Sequence, residues 1–203
     1  MKSIYFAGAA LTVLAQPALA QDADNTKAGF RVEARAMYEQ PTVDGEDLFD
    51  DGFVDEDATY ELGSAFAFGG EAGLDFAVSE RVVLGPYGTY EFSTVESCVD
   101  SDCLSVSDSW SAGAHVGLLT GVRGMVYGKV GYTSMTLDAD FLIDGVRVQG
   151  SESSGGFSGA IGFEQGFGQN FYGRLEAGYA SIGEIYGLDW DRGHVGVALG
   201  ARF

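Results

Sequence analysis

The sequence predicts an all-β chain, an eight-stranded antiparallel up-and-down transmembrane β-barrel. Three observations carry that expectation. Apolar and polar residues alternate strictly through eight separate segments. The connections between those segments are short and long by turns. Large aromatic residues gather at both ends of the apolar faces. Alternation of this length places successive side chains on opposite faces of a strand and fits no helical period.

The first strand covers Phe30 to Tyr38, with Phe30, Val32, Ala34, Ala36 and Tyr38 on one face and Arg31, Glu33, Arg35 and Met37 on the other. The second sets Phe66, Phe68, Ala72, Leu74, Phe76 and Val78 against Ala67, Gly69, Glu71, Gly73 and Asp75. The third runs from Val82 to Phe92, with Leu84, Pro86, Tyr90 and Phe92 opposite Tyr87, Thr89 and Glu91. The fourth covers Trp110 to Leu119. The fifth, Val126 to Thr136, sets Val130 and Tyr132 against Tyr127 and Lys129. The sixth has Phe157, Ile161, Phe163 and Phe167 against Ser158, Ala160, Gly162 and Glu164. The seventh has Phe171, Leu175, Ala177 and Tyr179 against Tyr172, Arg174 and Glu176. The eighth has Val195, Val197, Leu199, Ala201 and Phe203 against Gly196, Ala198, Gly200 and Arg202. Each strand is close to the roughly 9–11 residues that a tilted strand needs to cross a bilayer.

Tight turns are expected at Ser79-Glu80, Thr120 to Gly124 and Gly168 to Asn170. Long loops are expected over Glu39 to Ser64, Ser93 to Ser109, Leu137 to Gly155 and Ser181 to Arg192. Short turns on one side and long loops on the other are the habit of bacterial outer-membrane barrels.

Residues 1–20 read as a cleaved signal peptide: Lys2, an apolar run from Ile4 to Leu14, and the small-x-small motif Ala18-Leu19-Ala20. The run is too short for a spanning helix. Residues 21–203 form the single barrel domain. The formal charge of −19 becomes −20 once Lys2 is removed. So acidic a chain excludes nucleic acid and other polyanions as partners, because these demand clusters of Lys and Arg. Cys98 and Cys103 are the only cysteines. In an exported chain they are expected to form a disulfide.

A soluble eight-stranded barrel of the lipocalin or streptavidin type shows similar alternation. Its polar face would meet water, yet here that face is mostly Gly, Ala and Ser with almost no Lys. Small residues suit a narrow interior better. The apolar face carries Tyr38, Phe66, Tyr90, Trp110, Tyr132, Phe157 and Tyr179 towards the long loops, and Phe30, Phe76, Phe167, Phe171 and Phe203 towards the turns. Two aromatic belts around an apolar band are what a bilayer selects.

With its leader, its eight strands and a last strand GHVGVALGARF ending in Phe203, the chain resembles the OmpA, OmpX and opacity-protein barrels, a porin-like surface family of Gram-negative outer membranes. The resemblance implies residence in the cell outer membrane among lipid and lipopolysaccharide. It also implies recognition of Phe203 as an assembly signal by the barrel assembly machinery. The chain ends at the barrel, so the peptidoglycan-binding domain of full-length OmpA proteins is not expected.

The inward charges Arg31, Glu33, Arg35, Glu71, Lys129, Glu164, Arg174 and Glu176 are expected to form an interior ion-pair network, since an eight-stranded barrel is just wide enough for side chains. Arg35 is expected to pair with Glu71, and Lys129 with Glu164. The same charges could instead line a narrow cation-preferring pore. A lipid-modifying enzyme would need a His beside a Ser on the outer face; His115 and His194 fall on the inner face, so no catalytic residue, cofactor or enzymatic activity is expected. Beyond Glu39, the long connections hold twenty Asp and Glu against Arg147 and Arg192. In the first of them Asp50, Asp51, Asp55, Glu56 and Asp57 offer oxygens to a divalent cation. The spacing is not that of an EF-hand, and a solvated acidic loop is the expectation. The function read from the sequence is a surface protein with a structural or interaction role exercised through acidic loops.

Overall fold

The computed structural model describes residues 27–44, 59–100, 102–143 and 146–203. They form ten strands: β1 (Gly29–Asp44), β2 (Thr59–Glu61), β3 (Ala65–Ser79), β4 (Val82–Ser93), β5 (Glu96–Val99), β6 (Asp102–Leu119), β7 (Gly124–Ile143), β8 (Val146–Phe167), β9 (Phe171–Ile185) and β10 (Leu188–Arg202). Eight of them pair antiparallel in the order β1-β3-β4-β6-β7-β8-β9-β10. The ring is closed by β1 on β10, in register from Arg31↔Arg202 to Val43↔Trp190. The expected barrel is present.

The outward face matches its expected composition. Tyr38, Phe66, Tyr90, Trp110, Tyr132, Phe157 and Tyr179 are exposed at one level, and Phe30, Phe76, Phe167, Phe171 and Phe203 at the other. Rings of the upper belt touch across strands: Tyr38 on Phe66, Trp110 on Tyr132, Tyr132 on Phe157. From belt to belt β1 spans nine residues, Phe30 to Tyr38 inclusive, about the span of a hydrocarbon core.

The long loops are a correction. Six of the eight ring strands, 15 to 22 residues long, run well past the upper belt, and much of what reads as loop in the sequence is paired strand. β7 and β8 stay in register up to Ile143↔Val146. β9 and β10 meet at a two-residue turn, Tyr186-Gly187, with φ of 54° and 78°. Positive φ at both positions matches the right-handed twist of the flanking strands.

Above the upper belt the ring divides. Register pairs between β8 and β9 begin at Phe157↔Ser181, and among the described residues none joins β2 to β5. One ribbon, β9-β10-β1-β2, therefore faces another, β5-β6-β7-β8. Between them lies a hydrophobic cluster of Val43, Val95, Val106, Met135, Leu137, Ala180, Ile182, Ile185 and Trp190. This part of the molecule is the crown. Its core follows from alternation carried on past the belt: on β7 the inward series Tyr127, Lys129, Thr133 continues as Met135, Leu137 and Ala139, all buried.

Candidate functional site: a filled interior beneath an acidic crown

Below the crown the inward residues are charged. Glu71 on β3 is the hub. It accepts from Arg35 at 2.6 Å and Lys129 at 2.6 Å, and also from Arg31. Arg35 reaches onward to Glu91 at 2.9 Å and to Glu176 at 2.7 Å, and Glu176 accepts from Lys129 at 2.6 Å. Nearer the turns, Glu164 receives Lys27, Arg174 and Arg202, each at 2.8 Å. Arg174 also meets Glu33 at 2.6 Å. At the top Arg192 bridges Glu39 and Glu91.

All eight sequence-predicted network residues are buried inside the barrel. The Arg35–Glu71 pair forms. The Lys129–Glu164 pair does not: Glu164 stands opposite Met125 and Lys129 opposite Ala160, so the two lie four residues apart along the ladder. Lys129 is shared by Glu71 and Glu176 instead.

The network is also larger than the sequence reading allowed. Lys27, Glu39, Asp75, Glu91, Arg192 and Arg202 are buried members. Asp75, Glu91 and Arg202 alternate in phase with the predicted inward residues. Arg192 falls in the expected loop Ser181 to Arg192, which in the structure is paired strand at that point. With the additions, seven cations (Lys27, Arg31, Arg35, Lys129, Arg174, Arg192, Arg202) meet seven carboxylates (Glu33, Glu39, Glu71, Asp75, Glu91, Glu164, Glu176). Equal numbers matter because an unpaired buried charge costs several kcal/mol.

Tyrosines fill the remaining space. Tyr127 and Tyr172 donate to Glu176 and Glu33 at 2.8 and 2.9 Å, and the Arg174 guanidinium lies over both rings. Glycine opposite a large side chain makes room: a Cβ at Gly73 would meet the Arg31 guanidinium at 2.7 Å, and one at Gly200 the Tyr172 ring at 2.3 Å. Between the ion pairs and the crown core a cavity of about 30 Å³ remains, lined by Arg35, Glu91, Lys129, Glu176 and Arg192 among others. That is close to the room taken by a single water.

His115 is fully buried beside Asp75, Nδ1 to Oδ1 3.1 Å, and His194 lies 3.7 Å from Glu176. Both are in the interior. Cys98 and Cys103 are bonded, S–S 2.06 Å, across a register pair of the β5–β6 hairpin. Glu96 lies close to both sulfurs; with those sulfurs joined, they offer a metal no thiolate. Phe203 exchanges backbone bonds with Phe30 and turns its ring outward. Asp50, Asp51, Asp55, Glu56 and Asp57 lie outside the described residues.

The crown's outer surface is acidic. Asp138 and Asp140 stand on the outward face of β7, with Glu96, Asp102, Asp108, Glu152 and Glu184 nearby on other strands. Arg147 is the one crown base facing water among the described residues, and it pairs with Asp140 at 3.1 Å. The interior cancels, so the chain's net charge sits almost wholly outside it.

A closed ring of eight antiparallel strands, bracketed by aromatic belts and matched over residues 6–203 by the outer membrane protein beta-barrel domain family, settles the affiliation. The chain belongs to that family. It is an outer-membrane barrel. The fold is similar to that of Ail, the attachment invasion locus protein of Yersinia pestis, solved with the heparin analogue sucrose octasulfate. There the TM-score is 0.56 at 15% identity, over 86% of this chain and 99% of that one. Neisserial surface protein A is also similar, with TM-score 0.52 and 17% identity, over 87% of this chain and 98% of that one. No curated protein matches the sequence. At such identities the likeness concerns the fold alone.

Proposed function

We propose that this outer-membrane barrel is a non-conducting, non-enzymatic surface scaffold whose acidic crown is its interaction surface. The observation that carries the reading is the segregation of charge. Seven buried cations face seven buried carboxylates across the lumen, an apolar core lies above them, and the excess negative charge is displayed outside. A cation pore would need continuous water; a cavity of about 360 Å³ opens at the turn end beside Lys27 and Arg202, whereas the one at mid-lumen, beside Arg35, Lys129 and Glu176, measures about 30 Å³. Refolded protein in planar bilayers should give no discrete current steps. Sustained cation-selective conductance would replace this reading with the narrow pore. Lipid A from cells with and without the protein should be identical; a changed acyl pattern would instead point to a lipid-modifying enzyme.

Two expectations extend the same reading. Residues 1–20 are a leader, and protein recovered from outer membranes should begin at Gln21. Mg²⁺ or Ca²⁺ bridges crown carboxylates to lipopolysaccharide phosphates, relieving repulsion that acts within the roughly 8 Å screening length. A chelator should then speed proteolysis at Asp50 to Asp57 in intact outer membranes. Equal rates with and without it would remove the cation from the picture.

A further inference from the structure

Among the described residues the tallest part of the crown is the β7–β8 hairpin, and one side of it is unpaired. β8 is matched to β7 without interruption from Val146 to Gln165. On its other side pairing with β9 begins only at Phe157. Residues 146–151 therefore present a bare edge among the described residues; nearer the belt, Ser154 to Gly156 run close beside Ser181 to Gly183 without register pairs. Half of the backbone N–H and C=O groups there point away from β7. The turn after β9 meets β8 at the foot of this edge, where the Tyr186 N–H donates to the Glu152 carboxylate at 3.1 Å and the Tyr186 hydroxyl lies beside Gly150. No register pair covers it higher up.

Proteins usually blunt such edges with lysine, proline or a bulge. The segment Val146 to Gly156, VRVQGSESSGG, has neither lysine nor proline, and its register with β7 runs unbroken. Its single charged base, Arg147, is held by Asp140. The hairpin face that continues the crown core is apolar and open: Phe141 is 41% exposed, its register partner Val148 45%, and Val146 64%. The opposite face of β7 carries Asp138 and Asp140.

From this we infer that β8 is a docking edge. It takes an extended peptide segment of a partner protein as an added strand, with apolar side chains alternating with basic ones. Strand addition supplies the backbone bonds, and alternate side chains supply the selectivity. Apolar residues of the added strand rest against Phe141 and Val148, and basic ones point to the acidic face. A second copy of this chain is a poor occupant, because it would bring two acidic crowns together.

The inference rests on the crown's being an interaction surface, and the test separates the two. Full-length folded protein in detergent micelles is titrated with a ten-residue peptide of alternating Lys and Val. A second titration uses the same peptide with every backbone amide N-methylated, which keeps charge and side chains but removes the donors. The unmodified peptide should bind at least tenfold tighter. The variants Ser151→Pro and Gln149→Pro, at neighbouring positions of one strand phase, and Val148→Lys on the apolar face should each weaken it by a similar factor. The heat-modifiable mobility of the folded barrel should be unchanged in all three. Equal affinity for both peptides would overturn strand addition while leaving an acidic interaction surface in place. Failure of both peptides to bind would overturn both readings. Peptide-independent dimerisation that the proline variants abolish would overturn the inference in favour of self-pairing.

Discussion

Between the belts the barrel is apolar outside and charged inside; above the upper belt the same strands are charged outside and apolar inside. β7 makes the contrast plainest. Val126, Val130 and Tyr132 face lipid while Lys129 faces the lumen; a few residues on, Thr136, Asp138 and Asp140 lie outward and Met135 and Leu137 are buried. The backbone fixes which residues share a face, and the solvent on each side fixes what those residues are. The lower region is surrounded by hydrocarbon, so its interior is specified by paired charge, with every buried ion requiring its partners. The crown is surrounded by water, so it is held as soluble proteins are, at about 25 cal/mol per Å² of apolar area removed from water.

The comparison implies that the two regions fail separately. The largest effect belongs below: Glu71→Ala leaves Arg31, Arg35 and Lys129 without their shared carboxylate and should destabilise the barrel by about 4 kcal/mol. The readout is the temperature at which the heat-modifiable gel band shifts; a change worth less than about 1 kcal/mol would mean that the interior is solvated rather than tightly paired.

In the crown, Leu137→Ala should cost about 3 kcal/mol locally and leave the gel shift in place. The two tryptophans make this measurable, because Trp110 lies in the lipid-facing belt and Trp190 is buried in the crown core. In a Trp110→Phe background, urea should expose Trp190 earlier in the Leu137 variant. Simultaneous loss of crown and barrel would make them one cooperative unit and break the comparison.

Replacing Cys98 and Cys103 together by Ser should loosen the β5–β6 hairpin by about 2 kcal/mol, read as faster proteolysis there with unchanged barrel melting. The smallest effect is a coupling. A double-mutant cycle on Lys129 and Glu176 should give about 1 kcal/mol or more, and one on Lys129 and Glu164 less than about 0.5 kcal/mol. The reverse ranking would contradict the observed register.

The barrel was legible in the sequence because lipid and a narrow lumen impose opposite demands on alternate residues, as from Phe30 to Tyr38. The crown was not, although Met135, Leu137, Ile182 and Trp190 all belong to alternating series. There the polarity of the two faces changes places, so a search for apolar-outward strands stops at the belt and reads acidic, Gly- and Ser-rich sequence as loop. Arg192 was lost for the same reason. The Lys129–Glu164 error has a different source. Sequence position within a strand does not give depth: the ladder sets Glu164 against Met125, four residues nearer the turns than Lys129. A barrel's strands tilt and are staggered, and single-strand patterns carry no trace of the stagger. Near one another in depth, Arg35 and Glu71 survived this neglect.

β7 runs from Gly124 to Ile143 in unbroken register with β8, so one phase serves both of its environments. Inserting a single residue between Tyr132 and Met135 would leave the lower half untouched and turn the upper half over, putting Leu137 in water and Asp138 in the core. Inserting two would lengthen the strand and keep both halves in phase. Length variation at this level, in relatives or in engineered versions, should therefore come in even steps, with odd ones tolerated only where a bulge absorbs the extra residue. β6 and β9 carry such irregularities at the corresponding height, between Val106 and Ser109 and between Ser181 and Gly183. On those strands the phase of the crown is free to drift from that of the membrane segment; on β7 it is inherited from it.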